Sequence, residues 1–460
     1  MRRLRHFIAI VLLAGCATEP GELGPPIPAI DEAGVRREAG NALSAVVTLR
    51  IRYADSVLVR FGTVESAALD SITAAVRVSG EAATIPVLGL LPGTAYTLQV
   101  AAFGAGGTTR SDLLHLTTDT LPADLPRYDA GGPDPSPGYV VFAAGGYGLA
   151  IDNSGRVVWY ARLDDPATLN FQPQPTGRYY TRPTTPATAL PWLEIDPLGT
   201  VTRTLGCARD LVPRFHDLGV RPDGSYWIMC DESRTMDLSA DGGSPTARVT
   251  GTVVQQIAGD GRLLFEWSSF EHFSIEDLDP ADRAGASVNW THGNAIDLDP
   301  DGNLLISFRS LSEITSIDTR TGAVRWRMGG RANQFAFTEP LPAFRSQHGL
   351  RATGRGTLLL LDNLGEAGGS RAERYVVDEQ ARTVRLDGSA TPTPATVAQL
   401  GGTTQHLPGG RALVAFGNGG RVQEFDAAGA VVWEIYGSPG YVFRATRIRS
   451  LYDPGAGLPR

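Results

Sequence analysis

The sequence contains no lysine: all 41 basic residues among its 460 are arginine. That absence reads as the codon bias of a GC-rich genome and carries no functional weight. The arginines are scattered and outnumbered by 49 acidic residues, for a formal charge of −8. Without a basic stripe, a nucleic-acid partner is not expected. Low complexity is absent too: Gly 54 and Pro 31 promise many turns and no more. With 42% hydrophobic and 20% charged residues the chain reads as globular protein, long enough for two or three domains. Past residue 16 there is no long apolar run, so the body is expected to be soluble and tethered. Cysteines number only three.

Residues 1–16 have a targeting layout. Arg2, Arg3 and Arg5 precede a short apolar run, Phe7 to Leu13, too short to span a bilayer. Leu13-Ala14-Gly15-Cys16 resembles a bacterial lipobox, with Cys16 the expected acylation site. The competing reading is an ordinary signal peptide with an incidental cysteine. Ala17, where Asp is absent, resembles an outer-membrane sorting signal, so a lipid-anchored location in the bacterial envelope (outer membrane or periplasm) is expected. Removing residues 1–15 takes the formal charge from −8 to −11. Cys207 and Cys230 then remain as a candidate disulfide closing a loop of about 23 residues, worth ~3 kcal/mol. Two free buried thiols are the alternative.

A linker is expected over 17–39, rich in Gly and Pro from Pro20 to Pro28. From 40 to 120 the pattern is short alternating strands, clearest at 45–52, 56–62, 73–78 and 94–102. The stretch from Leu88 to Val100, with Pro92-Gly93 and Tyr96, resembles the tyrosine corner of a fibronectin type III sandwich. A structural spacer is the expected role.

Residues 128–460 repeat internally. A turn followed by a strand recurs from Asp152, Asp196, Asp260, Asp318, Asp378 and Asp426, at spacings of 44, 64, 58, 60 and 48 residues. Units of that size cannot each bury a core, and radial packing leaves only short, protected edges. The expected fold is all-β: a six-bladed β-propeller preceded by the small sandwich. Three repeats also carry a histidine before their leading hairpin. His216, His292 and His348 precede the turn glycines Gly224, Gly302 and Gly356 by 8, 10 and 8 residues. Each is expected to begin an innermost strand and to face the central channel, with Arg309 returning beside His292. Asp231 and Asn363 hold the matching return positions. His406 is only 4 residues from Gly410, out of register.

One histidine at a strand start is more often a packing residue; three in phase with an arginine point to a site. Zinc would accept three histidines, but the neighbouring guanidinium would repel a cation, so no metal is expected. An oxyanion suits the set better. Arg309 offers a planar fork of donors, a neutral imidazole nitrogen can attack an electrophile, and a second can protonate a leaving group. The residues themselves leave sulfuryl and phosphoryl transfer both open.

Trp290 to Ala295, Ile306 to Arg309, Thr321 to Gly330 and Ser346 to Gly349 resemble segments of the bacterial arylsulfotransferase family. Phe215-His216-Asp217, Asp362-Asn363 and the stretch from Tyr441 to Tyr452 with Arg444 fit in order, over about 330 residues. The resemblance implies a propeller enzyme that moves a sulfuryl group from a phenolic sulfate ester to a phenolic acceptor, without phosphoadenosine phosphosulfate or any other cofactor. It implies that His348 is the nucleophile, that His292 handles the phenol's proton, and that Arg309 and His216 hold the sulfuryl oxygens. Asn294, Asn363 and Arg444 become expected substrate contacts. Two departures stand out: Gly349 where many relatives carry Asp, and Ala295 where Ser is common. A phenol pocket is expected from some of Phe171, Trp192, Phe337, Phe344 and Tyr441. The competing readings are a non-catalytic tethered propeller binding a sulfated or phosphorylated glycan or a phenolic ligand, and a quinone-dependent dehydrogenase propeller.

Overall fold

The computed structural model describes residues 24–163, 165–184, 190–338, 344–365 and 369–458. Cys16 and the expected leader, with 17–23 of the expected linker, lie outside the described residues. The chain is all-β: among the described residues the only helical pieces are short 3-10 turns and the four-residue helix Pro280–Arg283. None is long and apolar enough to cross a membrane.

The chain divides into two compact units. The smaller holds the described residues up to Gly34, with Val47–Ile85 and Thr97–Leu114. Its strand Ser56–Thr63 pairs antiparallel with Ser71–Ile72 and with Val76–Arg77. Val47, Leu49, Ile51, Val57, Val59, Leu98 and Val100 alternate inward and are buried. The linker expected to run to residue 39 does not: Ala29–Glu38 is a strand. Its half-buried, half-exposed alternation needs no strong apolar residues, which hid it from the pattern.

The larger unit holds Val35–Val46, Pro86–Tyr96 and the described residues from His115 onward. In it Tyr96 Oη accepts a hydrogen bond from Leu91 N at 2.8 Å, across the turn at Pro92-Gly93. Beyond it, among the described residues, six sheets of four or five strands follow one another along the chain, antiparallel except where Ser287–Asn289 and Ala336–Phe337 each add in parallel to one of them. The innermost strands are Phe171–Gln174, Val212–Val220, Gly293–Leu298, His348–Gly354, Thr403–Leu407 and, from the C-terminal end, Ala445–Ile448. Consecutive inner strands pack side by side, and Gln174 Nε2 donates to Leu218 O at 2.7 Å. The ring is closed twice by distant segments: Tyr139 opposes Ile448, and Ala130 opposes Ile435.

The repeating aspartates have a local reason. All six accept backbone N–H groups two to four residues onward, as Asp152 Oδ1 does from Ser154 and Arg156 and Asp426 Oδ1 from Ala428 and Ala430. Each makes the turn of its sheet's outer hairpin. Where the turn needs a left-handed residue, five repeats use glycine, and the Asp378 turn uses Arg382 at φ 55. The tryptophans after two of these turns lace neighbouring sheets together. Trp159 Nε1 donates to Pro197 O at 2.7 Å and Trp433 Nε1 to Asn153 O at 2.9 Å, both indoles fully buried.

Candidate active site

Three inner strands place the three histidines at one end of the ring, by different local means. His348 is the first residue of its strand. His292 sits one residue before Gly293–Leu298 with φ 48, a left-handed turn that separates its side chain from the ladder. His216 departs from expectation. It lies inside Val212–Val220, where pairing jumps from Pro213–Cys230 to Leu218–Ile228. Arg214, Phe215, His216 and Asp217 are therefore bulged out of the ladder. The bulge is pinned from three sides: Trp192 Nε1 donates to Arg214 O at 2.9 Å, Asn170 Nδ2 to Phe215 O at 2.7 Å, and Arg444 to His216 O at 3.1 Å.

The hydrogen bonds assign tautomers. His348 Nδ1 lies 2.9 Å from Asn363 Oδ1 and 3.1 Å from Ser346 O. Both are acceptors, provided the Asn363 amide is oriented by its own donors, and it is: Nδ2 donates to Ala398 O at 2.7 Å and Gly401 O at 3.0 Å. Nδ1 therefore carries the proton and Nε2 a lone pair. Burial lowers this imidazole to about 4, with Arg309 acting in the same direction, so it is neutral at neutral pH. His292 Nε2 and His216 Nε2 are 3.2 Å apart, and Asn289 Nδ2 lies 2.6 Å from His292 Nδ1. The consistent assignment has Asn289 donating to His292 Nδ1 and His292 Nε2–H donating to His216. His216 then keeps its proton on Nδ1, which is buried without a partner. Burial and the nearby Arg214 hold both rings well below the ordinary imidazole value.

Arg309 closes the set. Its N–H bonds His292 O at 3.0 Å, it follows the strand Leu304–Phe308, and one guanidinium nitrogen reaches Gln399 O at 3.3 Å. Its Nε is buried without a partner, and it makes no ion pair among the described residues, although Asp282 and Tyr441 are near enough to act on it. Among the described residues no three His, Cys, Asp or Glu side chains gather closely enough to hold a metal ion. An uncommitted imidazole lone pair, a shared-proton imidazole pair and an underused guanidinium together suit an anionic electrophile.

The three expected substrate contacts are engaged within the protein. Asn294 Nδ2 donates to Gln347 O at 2.7 Å, tying the residue before His348 to the His292 strand. Asn363 fixes His348. Arg444 is buried on Asn170, Asp217 and the His216 carbonyl, and burial lowers it to about 10. The aromatic pocket needs correcting as well. Phe171 stacks with Trp159 and Tyr179 in the core, Trp192 is fully buried, and Phe344 and Phe337 pack with Tyr375. These are the large apolar side chains the sheets need between them. Of the five, only Tyr441 is near the cluster, through Arg309; its hydroxyl is pushed up to about 12 by burial. The rings that border the histidines are Phe215, stacked on His216 at 4.1 Å, and Phe443, 5.7 Å from His216 and 6.4 Å from His348.

Sequence reasoning also missed Asp217. It is buried, and it receives both Arg351 (2.9 and 3.2 Å) and Arg444 (2.9 Å), along with Ile296 N at 3.1 Å. This knot also lines a cavity of about 930 Å³ inside the ring. Asp217, Ile296 and Arg351 line the cavity, as does the out-of-register His406, whereas the three site histidines do not. Cys207 and Cys230 are joined in a disulfide.

Gly349 shows why Asp is missing there. With φ 64, a Cβ would lie 2.6 Å from Thr403 Cα, and Thr404 Oγ1 donates to Gly349 O at 2.9 Å. Asn363 and Ser346 O serve Nδ1 instead. Ala295 is fully buried among apolar neighbours, where a hydroxyl would want a partner.

Among solved structures, a streptogramin B lyase shares 14% identity at a TM-score of 0.40, covering 67% of this chain and 83% of its own. Virginiamycin B lyase from Staphylococcus aureus shares 12% at 0.36, covering 66% and 88%. The β-propeller domain of Cps50 (Swd1) from Myceliophteria thermophila shares 11% at 0.36, covering 69% and 90%. At TM-scores below 0.5 these likenesses carry no argument about the site. No curated protein matches the chain. The arylsulfotransferase (ASST) family profile matches residues 202–438, just over half of the chain, a span within which His216, His292, Arg309 and His348 all fall. The chain belongs to the arylsulfotransferase family.

Proposed function

We propose that this protein transfers a sulfuryl group from a phenolic sulfate ester to a phenol, in two steps through an N-sulfohistidine on His348. The observation that carries the reading is the His348 tautomer: two acceptor oxygens hold Nδ1–H and leave the Nε2 lone pair uncommitted. In the first step Nε2 bonds to sulfur while the sulfur–oxygen bond to the aryl group breaks. The His292–His216 pair binds one proton together with the anionic donor and gives it to the departing phenolate. In the second step an acceptor phenol returns that proton to the pair, its oxygen bonds to sulfur, and the sulfur–nitrogen bond breaks. Arg309, with a buried unpartnered Nε, supports the sulfuryl oxygens as charge develops on them. Phe443 and Phe215 offer the apolar walls for the aryl group.

In this reading the six sheets are the blades of a propeller whose ring is closed by the two terminal strand pairs, and the smaller unit is a fibronectin type III-like spacer. The lipobox-like segment ending at Cys16 would tether the protein in the bacterial envelope. The test of function is release of p-nitrophenol from p-nitrophenyl sulfate, with and without added phenol. Release that depends on phenol and disappears in His348→Asn is the expected result. Binding of the ester with no release under either condition would replace the transferase with a non-catalytic binder.

A further inference from the structure

Arg214 is a second guanidinium at this site, and neither the composition of the histidine cluster nor its register pointed to it. It sits in the bulge two residues before His216, only 8% exposed. One of its terminal nitrogens is paired with Asp231, in the middle of the return strand Tyr226–Met236, and its Nε is buried without a partner. Asp231 follows Cys230 directly, so the Cys207–Cys230 disulfide anchors the carboxylate that holds Arg214. Arg182 also lies within electrostatic reach of Asp231 and Arg214.

Arg214 lies two residues before His216 in the bulge, and His216 Nε2 is 3.2 Å from His292 Nε2, so Arg214 belongs to the side of the site held by the His216–His292 pair, and its charge acts on both of those rings. In an in-line transfer the leaving oxygen lies opposite the nucleophile, on the His292 side, and the aryl ring lies beyond it. That is the Arg214 side.

We propose, resting on the transferase reading, that Arg214 is a specificity-determining residue that binds an anionic substituent, such as a ring carboxylate, on the aryl sulfate donor. A charge-assisted hydrogen bond from a buried guanidinium is worth about tenfold or more in affinity.

The test compares 4-carboxyphenyl sulfate with its neutral counterpart 4-carbamoylphenyl sulfate on the wild-type protein and on Arg214→Met. Wild type should favour the carboxylate by about tenfold or more in KM, and the variant should bring that ratio close to one. Arg214→Lys should restore part of it. Equal KM values in wild type, or a preference that survives Arg214→Met, would overturn the proposal. The wild-type comparison stands even if the variant does not fold. If neither ester turns over, the transferase reading fails by itself. The same two ligands compared by thermal shift on wild type then decide about Arg214: a larger shift with the carboxylate supports it, and equal shifts refute it.

Discussion

His348 differs from the other two histidines in what its ring nitrogens touch. Its Nδ1 faces two oxygens, so the tautomer is fixed by acceptors and the far nitrogen is left to react. Substituting Asn363→Leu removes one acceptor and frees the ring, and should lower the rate of donor cleavage on the order of a hundredfold, with KM much less affected; steady-state kinetics read both. Burial holds His348 near 4, below the ordinary 6.5, and holds His216 and His292 low as well. The folded protein therefore binds fewer protons than the unfolded chain below pH 6.5. Stability should be fully present above that pH and decline as pH falls toward 4. Urea denaturation at pH 7 and pH 5 should show the lower midpoint at pH 5, less so in His348→Asn; a midpoint that rises on acidification would contradict the assignment of neutral buried imidazoles.

At the scale of the element, the outer hairpins were legible because their signal is local. An aspartate that caps its own turn needs nothing from the rest of the chain, and all six do so. Likewise His292 and His348 lie next to their hairpins as their offset to glycine implied. His216 does not, because the bulge around it depends on Trp192, Asn170 and Arg444, and no offset encodes those partners. Strand Ala29–Glu38 escaped for want of apolar contrast. Gly349 lies against the backbone of the neighbouring inner strand at Thr403. Replacing it by alanine forces a Cβ against the Thr403 backbone in a left-handed conformation, and should cost on the order of 2–4 kcal/mol, measured by urea unfolding. A neutral substitution would mean that the strand Thr403–Leu407 can move aside.

For the molecule as a whole, the sites hardest to find in the sequence join residues far apart in it. Asp217 binds Arg351 and Arg444, which lie 134 and 227 positions away. Aromatic residues misled for the opposite reason: nothing in a sequence separates a phenylalanine that fills the space between sheets from one that lines a site. Asp217 holds together the inner strands that carry His216, His348 and the C-terminal closure. Asp217→Asn would leave the buried Arg444 and the partly buried Arg351 undercompensated and should cost about 3–5 kcal/mol, seen as a lower unfolding midpoint. A change under 1 kcal/mol would show that the arginines find other partners.

The most direct test of sulfuryl transfer through His348 is peptide mass spectrometry after a short exposure to p-nitrophenyl sulfate with no acceptor present. A single sulfonate on the peptide carrying His348, discharged when phenol is added, is the predicted result. Release of p-nitrophenol with no adduct, or an adduct on the peptide carrying His216 or His292 instead, would contradict it.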